Sequence, residues 1–248
     1  MSTVSEHYKT LLAHHYSWMF NQSFEDKVAE QRRILEEVLP PEGTVERRLA
    51  VDLGAGPGFQ SVALAELGFS RVVAVDTSEI LLKELETHRN GYPVETVHAD
   101  ILGLREIVAV GQANVIVCMG DTLTHLGSGD EVEQLFLNAY NALASGGALV
   151  LTFRDLTLEL HGLDRFLPIR SDADRIMTCF LDFESPERVR VHDLIHVKES
   201  AGWKLEKSSY CKLRLAPAWV TQRLLDAGFS ISAQKPAGRL HLIAARKP

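Results

Sequence analysis

Leu49-Ala-Val-Asp-Leu53 runs directly into Gly54-Ala-Gly-Pro-Gly58. A short apolar run bounded by turn residues reads as a buried strand. Glycines after it let the backbone turn tightly and approach a ligand. Gln60 to Leu67 then reads as a helix, with Gly68 as its stop.

The same unit repeats outward along the chain. Arg71-Val-Val-Ala-Val-Asp76 is a second strand, and Glu79 to Arg89 a second helix ending near Gly91. Val94 to Ala99 is a third strand, ending at Asp100, and Asn114-Val-Ile-Val-Cys118 a fourth. Asp130 to Ala144 is amphipathic, with Val132, Leu135, Phe136, Ala139 and Leu143 on one face. Gly146-Gly147 breaks it before a fifth strand, Ala148-Leu-Val-Leu-Thr-Phe153. Apolar strands alternating with helices indicate a parallel sheet covered on both faces. Right-handed crossovers make that sheet doubly wound.

The flanks read differently. Residues 5–39 read as helical, with apolar Leu11, Leu12, Tyr16 and Met19, then Val28, Ile34, Leu35 and Val38. Pro40-Pro41 stops that segment. After Phe153, three looser stretches (175–183, 188–197 and 203–213) are separated by Ser185-Pro186 and Ala201-Gly202. They predict an antiparallel insertion. Pro217 starts a helix that Gly228 closes, and strands at 229–234 and 240–245 flank Pro236-Ala-Gly238 as a hairpin. The expected fold is therefore α/β: a doubly wound, mostly parallel seven-stranded sheet of Rossmann-like form, with an antiparallel β insertion after the fifth strand.

Composition narrows the function. The 248 residues carry 26 Lys and Arg against 33 Asp and Glu, a formal charge of −7. So acidic a chain is poorly suited to a phosphate backbone, and no nucleic-acid partner is expected. Cys118, Cys179 and Cys211 lie far apart, which excludes a zinc ribbon and fits a reducing compartment. His192 and His196 fall on a strand reading, where four residues span about 13 Å, too far for one ion. No metal is expected. The polar start, Met1 to Lys9, shows no apolar signal region, and no 18-residue apolar run occurs. A cytoplasmic protein without membrane contact is expected.

The glycine loop is G-x-G-x-G, and Phe59 stands where a dinucleotide fingerprint has its third glycine. That argues against a nicotinamide or flavin enzyme. Asp76 follows Gly58 by 18 residues, at the second strand's end. A carboxylate there can accept both ribose hydroxyls. Asp100 ends the third strand at a matching position, so loop, Asp76 and Asp100 converge on one nucleoside-shaped site. The alternative is that each Asp only caps the helix after it.

Val51-Asp-Leu-Gly-Ala-Gly-Pro-Gly58, Val75-Asp76 and Ala99-Asp-Ile101 together resemble the signature set of class I S-adenosylmethionine-dependent methyltransferases. The resemblance implies S-adenosylmethionine as cofactor and S-adenosylhomocysteine as product. It implies that the backbone of Gly54, Ala55 and Gly56 faces the methionyl part and that Asp76 takes the ribose hydroxyls. Thr77 would lie under the adenine, Asp100 and Ile101 at its amino edge, and Met119 and Gly120 along the wall after the fourth strand. Cys118-Met-Gly-Asp-Thr-Leu-Thr-His-Leu126 is similar to the Cys-x-Gly-Asn-x-x-x-His-Leu run of glycine and sarcosine N-methyltransferases. By that resemblance Arg154 holds an acceptor carboxylate, Tyr210 lies near the acceptor, and Tyr16 and Met19 form an N-terminal lid.

Asp121 stands where those enzymes carry Asn, and an ionised Asp there would repel an acceptor carboxylate. Arg154 could equally pair with Asp121 or Asp155. Lys27 could meet the cofactor carboxylate or lie at the surface, and Trp18 and Phe20 could cover the cofactor or pack the core. Asp121 and His125 are the candidate general bases for an acceptor that arrives protonated, His125 because an unperturbed imidazole titrates near 6.5. The expected organisation is a helical lid (1–44), a cofactor-binding core (45–155), an acceptor-side insertion (156–215) and a closing helix and hairpin (216–248). The expected activity is in-line methyl transfer to a nitrogen or oxygen of a small molecule by a monomer or homodimer. A protein or peptide methyltransferase and a catalytically silent cofactor-binding protein are the alternatives.

Overall fold

A computed structural model describes residues 3–40 and 47–248. Pro41 and the expected boundary at 44/45 lie outside those residues. In chain order the elements are α1 (Val4–Thr10), α2 (Phe24–Val38), β1 (Leu49–Leu53), α3 (Phe59–Glu66), β2 (Arg71–Asp76), α4 (Glu79–His88), β3 (Val94–His98), α5 (Leu104–Ile107), β4 (Ala113–Cys118), α6 (Gly129–Ala142) and β5 (Leu143–Phe153). The insertion follows as β6 (Phe166–Ser171), β7 (Arg175–Ser185), β8 (Arg188–Glu199) and β9 (Gly202–Leu213). The chain closes with α7 (Pro217–Asp226), β10 (Ser230–Ala237) and β11 (Leu240–Arg246).

Seven strands form one sheet in the order β10-β11-β5-β4-β1-β2-β3. The five from β1 to β5 pair in parallel, and β11 is antiparallel to both β5 and β10. Strand order reverses at β1 and β4, and in open α/β sheets ligands bind outside the strand ends at that point. The central strands are buried on both faces, so alternate residues feed two cores. Val51, Leu53 and Ile116 join α5, α6 and α7 through Leu104, Phe136 and Leu224. Ala50, Val115 and Val117 join α2, α3 and α4 through Leu35, Leu64 and Leu85.

Three expectations change. Residues 5–39 are not one helix. After α1 come two 3₁₀ turns, Leu12–His15 and Trp18–Phe20. Asn21 takes a left-handed conformation (φ 53°), and Ser23 starts α2 by accepting a bond from the Asp26 N–H. Such a cap favours a fresh helix over continuation. The insertion holds four strands rather than the three expected, because β6 pairs antiparallel with β7 along the sheet edge. Its Pro168 is tolerated because β6 is a sheet edge and bulges there. Finally, β5 begins at Leu143, ahead of Gly146-Gly147, because Leu143 pairs with Ala113.

Candidate active site

The ends of β1, β2 and β3 and the start of α1 enclose a cavity of about 480 Å³. Gly54, Gly56, Asp76, Thr77, Asp100 and Ile101 line its floor, and Thr3, Val4, Ser5, Tyr8 and Tyr16 its roof. Thr122, His125 and Leu126 close the side facing the insertion. A narrower cleft of about 100 Å³ runs from Gly54 and Ala55 past Met119, Gly120 and Thr152 to Lys27 and Gln31.

Glycine is needed at the loop for two separate reasons. Gly54 has φ +75°, and a Cβ there would sit 2.3 Å from Thr122 Oγ1. Gly58, at φ +97°, caps α3, and a Cβ would meet Leu85. Backbone and wall are thus brought closer than any side chain permits. The Gly54 and Ala55 N–H groups donate to the Val75 carbonyl at 2.8 and 3.0 Å, which locks the loop onto β2. Phe59 is buried against Phe20 and Phe24, so the residue that replaces the fingerprint glycine anchors α3 to the N-terminal segment.

Asp76 accepts from the Gly56 N–H at 2.8 Å and the Ser78 N–H at 2.7 Å. Burial raises its carboxyl above the ordinary value, against those bonds. Asp100 lines the cavity and also accepts from the Leu102 N–H at 2.8 Å, capping the turn that follows β3. Gly120 donates its N–H to Thr152 Oγ1 at 2.7 Å, which fixes the wall after β4. Two carboxylates lining the cavity, beside a loop whose glycines carry no side chain, suit a ribose and an adenine.

The acceptor-side expectations divide. His125 lines the cavity, while Asp121, Arg154 and Tyr210 do not. Asp121 is bound by Lys212 Nζ at 2.7 Å and Arg154 Nε at 3.3 Å. Burial alone would raise its carboxyl, but the two cations outweigh it and hold Asp121 well below the carboxylate range. Two cations around one anion leave the cluster net positive, so the expected repulsion of an acceptor carboxylate does not arise. Arg154 is the structural partner of Asp121, and Asp155 instead binds Thr157. Lys212 was missed because nothing local marks it. Only its alternation with Tyr210 on β9, one residue between them, hinted at a shared face.

Burial pushes the His125 imidazole down to about 3, and nearby Lys212 adds to this. Its Nε2 is buried without a hydrogen-bond partner. Tyr210 is buried behind His125 (rings 5.5 Å apart) and stacks on His7 (4.3 Å). Met19 lines neither cavity. It packs with Leu11, Leu12, Met177 and Ile195, because the apolar inner face of the insertion covers it there. Trp18 lies between Arg170 and Arg175 on the insertion, Phe20 lines the narrow cleft, and Lys27 pairs with Glu30 at its mouth. Among the described residues, no three His, Cys, Asp or Glu gather as metal ligands, and no helix is long and apolar enough to cross a membrane.

Residues 50–147 match the family model described as a methyltransferase domain. The chain is 34% identical over 116 residues to a glycine/sarcosine N-methyltransferase of Halorhodospira halochloris, covering 46% of this chain and 43% of that protein. It is 32% identical over 154 residues to the cypemycin N-terminal methyltransferase of a Streptomyces species, covering 55% and 61%. The chain thus spans less than half the length of the first of these relatives. The structure of the CcbJ methyltransferase from Streptomyces caelestis superposes with a TM-score of 0.76 at 19% identity, covering 97% of both chains. That likeness covers nearly the whole chain, whereas the family model matches residues 50–147.

Proposed function

We propose that this chain, whose residues 50–147 match a methyltransferase domain, is a class I S-adenosylmethionine-dependent enzyme that transfers a methyl group to a small-molecule nitrogen or oxygen. The observation that carries this is the cavity lined by Asp76 and Asp100, Gly54 and Gly56, and Tyr8 and Tyr16. S-adenosylmethionine supplies a methyl group already activated on a sulfonium. The protein's own work is then to hold, orient and exclude water, and good orientation alone is worth several kcal/mol.

In this reading Asp76 holds the ribose hydroxyls, Asp100 and Ile101 the adenine edge, and the Gly54–Gly56 backbone, with Met119 and Gly120, the amino-acid end. Thr77 borders the adenine. Tyr8 and Tyr16 shut water out from above. Arg154 engages Asp121 through Nε, which leaves its terminal amino groups to hold an acceptor carboxylate at the partly exposed edge.

Neither candidate base is suited to stripping a proton from an ammonium group. An alkylammonium titrates near 10, while His125 is held to about 3 and Asp121 lower still. The acceptor therefore enters as its free base, and its proton leaves to water after transfer. His125, uncharged, lines the acceptor side of the cavity with its Nε2 turned into the buried interior.

The test is calorimetric titration with S-adenosylhomocysteine, followed by a labelled-methyl screen over amines, amino acids, phenols and carboxylates. Binding with transfer to a small molecule supports the reading. Transfer only to peptide N-termini favours the peptide alternative, which the cypemycin enzyme's similarity brings in. No binding removes the cofactor assignment.

A further inference from the structure

Asp193 interrupts a face that is otherwise apolar. On β8 the inward residues are Val189, Val191, Asp193 and Ile195, all buried. Asp193 is 3% exposed, and its partner His7, from α1, is fully buried. His7 Nε2 and Asp193 Oδ2 lie 3.0 Å apart across 186 residues of chain. An apolar pair of similar volume would stabilise this contact at least as well, since burying charge costs about what the pair returns. What an apolar pair lacks is direction. A hydrogen bond fixes the rotation of α1 about its axis, whereas apolar contact leaves it free to slide.

That rotation matters because consecutive residues of α1 do different jobs. His7 turns into the insertion and stacks on Tyr210, with ring centroids 4.3 Å apart and planes 30° from parallel. Tyr8, one residue on, roofs the large cavity and meets Tyr16 at 5.9 Å and His125 at 5.8 Å. Val4 and Ser5, one turn earlier, line the same roof. We infer that His7 and Asp193 are positioning residues: their buried bond latches α1 onto the insertion so that Tyr8 closes the cofactor cavity and Tyr210 backs His125. The inference rests on reading that cavity as the cofactor pocket. It predicts that the latch sets how fast product leaves.

The experiment uses the full chain and S-adenosylhomocysteine as the probe. Dissociation is followed by stopped flow, and amide exchange of residues 4–10 is measured with and without the probe. His7→Phe keeps the stacking ring and loses the bond, and Asp193→Leu removes the acceptor. Each is expected to speed release at least tenfold and raise exchange in α1, His7→Phe at a cost in stability because it strands the buried Asp193. Asp193→Asn still accepts the bond and should restore slow release. The double variant His7→Phe/Asp193→Leu strands no buried charge, and it decides the matter if a single variant is unstable. Wild-type release rates and unchanged α1 exchange in the double variant overturn the latch while leaving the pocket assignment intact. If wild type fails to bind the probe, the pocket assignment falls, and the α1 exchange of the ligand-free variants alone decides the latch.

Discussion

Lys212 Nζ, on the last strand of the insertion, lies 2.7 Å from the Asp121 carboxylate at the tip of β4. The bond ties the insertion to the parallel sheet beside the cavity. Its side chains are 9% and 17% exposed, so solvent screens the pair little. Arg154 completes the cluster from the end of β5.

Lys212→Met should therefore cost about 1.5–3 kcal/mol, because the buried Asp121 loses its nearer charged hydrogen bond and keeps only Arg154. Lys212→Met with Asp121→Asn should recover most of that loss. Urea unfolding of the two singles and the double measures the coupling. Additive losses would show that the two charges do not interact.

Asp76→Ala should weaken S-adenosylhomocysteine binding by about 100-fold, the worth of two charge-assisted hydrogen bonds at roughly 1.5 kcal/mol each. Asp76→Asn should fall between, since the amide oxygen still accepts from Gly56 or Ser78. Calorimetry reads both affinities. Wild-type affinity in Asp76→Ala would end the nucleoside reading.

Acid should destabilise the protein through His125. Its folded value of about 3 lies below the unfolded value near 6.5, so the unfolded chain binds the extra proton between those limits. Stability is therefore full above pH 6.5 and falls as pH drops toward 3. Asp52, pushed up to about 7 by burial despite its 2.6 Å bond from Ser61, works the other way. Its folded form holds a proton that the unfolded form loses above about 4, so it favours folding less as pH rises from 4 to 7. Each effect amounts to a few kcal/mol. His125→Gln should lessen the loss seen below pH 6, and Asp52→Asn the loss between about pH 4 and 7, in unfolding midpoints taken across the whole range. A variant with the wild-type pH profile refutes its own assignment.

Gly54→Ala and Gly146→Ala separate backbone strain from close approach. Both have φ near +75°, but a Cβ at Gly54 collides with Thr122 and one at Gly146 meets nothing. Gly146→Ala should cost about 1–2 kcal/mol, the price of a left-handed side chain. Gly54→Ala should cost about 1–3 kcal/mol more from overpacking, and should also lose S-adenosylhomocysteine binding. Equal melting temperatures would remove the steric argument.

Much of this molecule is legible because its signals are local. The Leu49–Gly58 run is a strand and turn whatever surrounds it, and Asp76 and Asp100 fall at strand tips by counting alone. The break before α2 was also local: Ser23 and Asp26 spell a cap, which the apolar rhythm of 5–39 concealed. Strand β6 was hidden because Pro168 and the charges at 165 and 170 suit only an edge, and edge position is not a local property.

Composition, periodicity and glycine placement determined the doubly wound sheet and the floor of its cavity, since each depends on residues within a few positions of one another. Tertiary structure decided the acceptor side. Lys212 meets Asp121 across 91 residues and Asp193 meets His7 across 186. A charge paired over such distances leaves no periodic trace, because what selects it is the low dielectric and shared burial that exist only once the insertion has folded against the sheet.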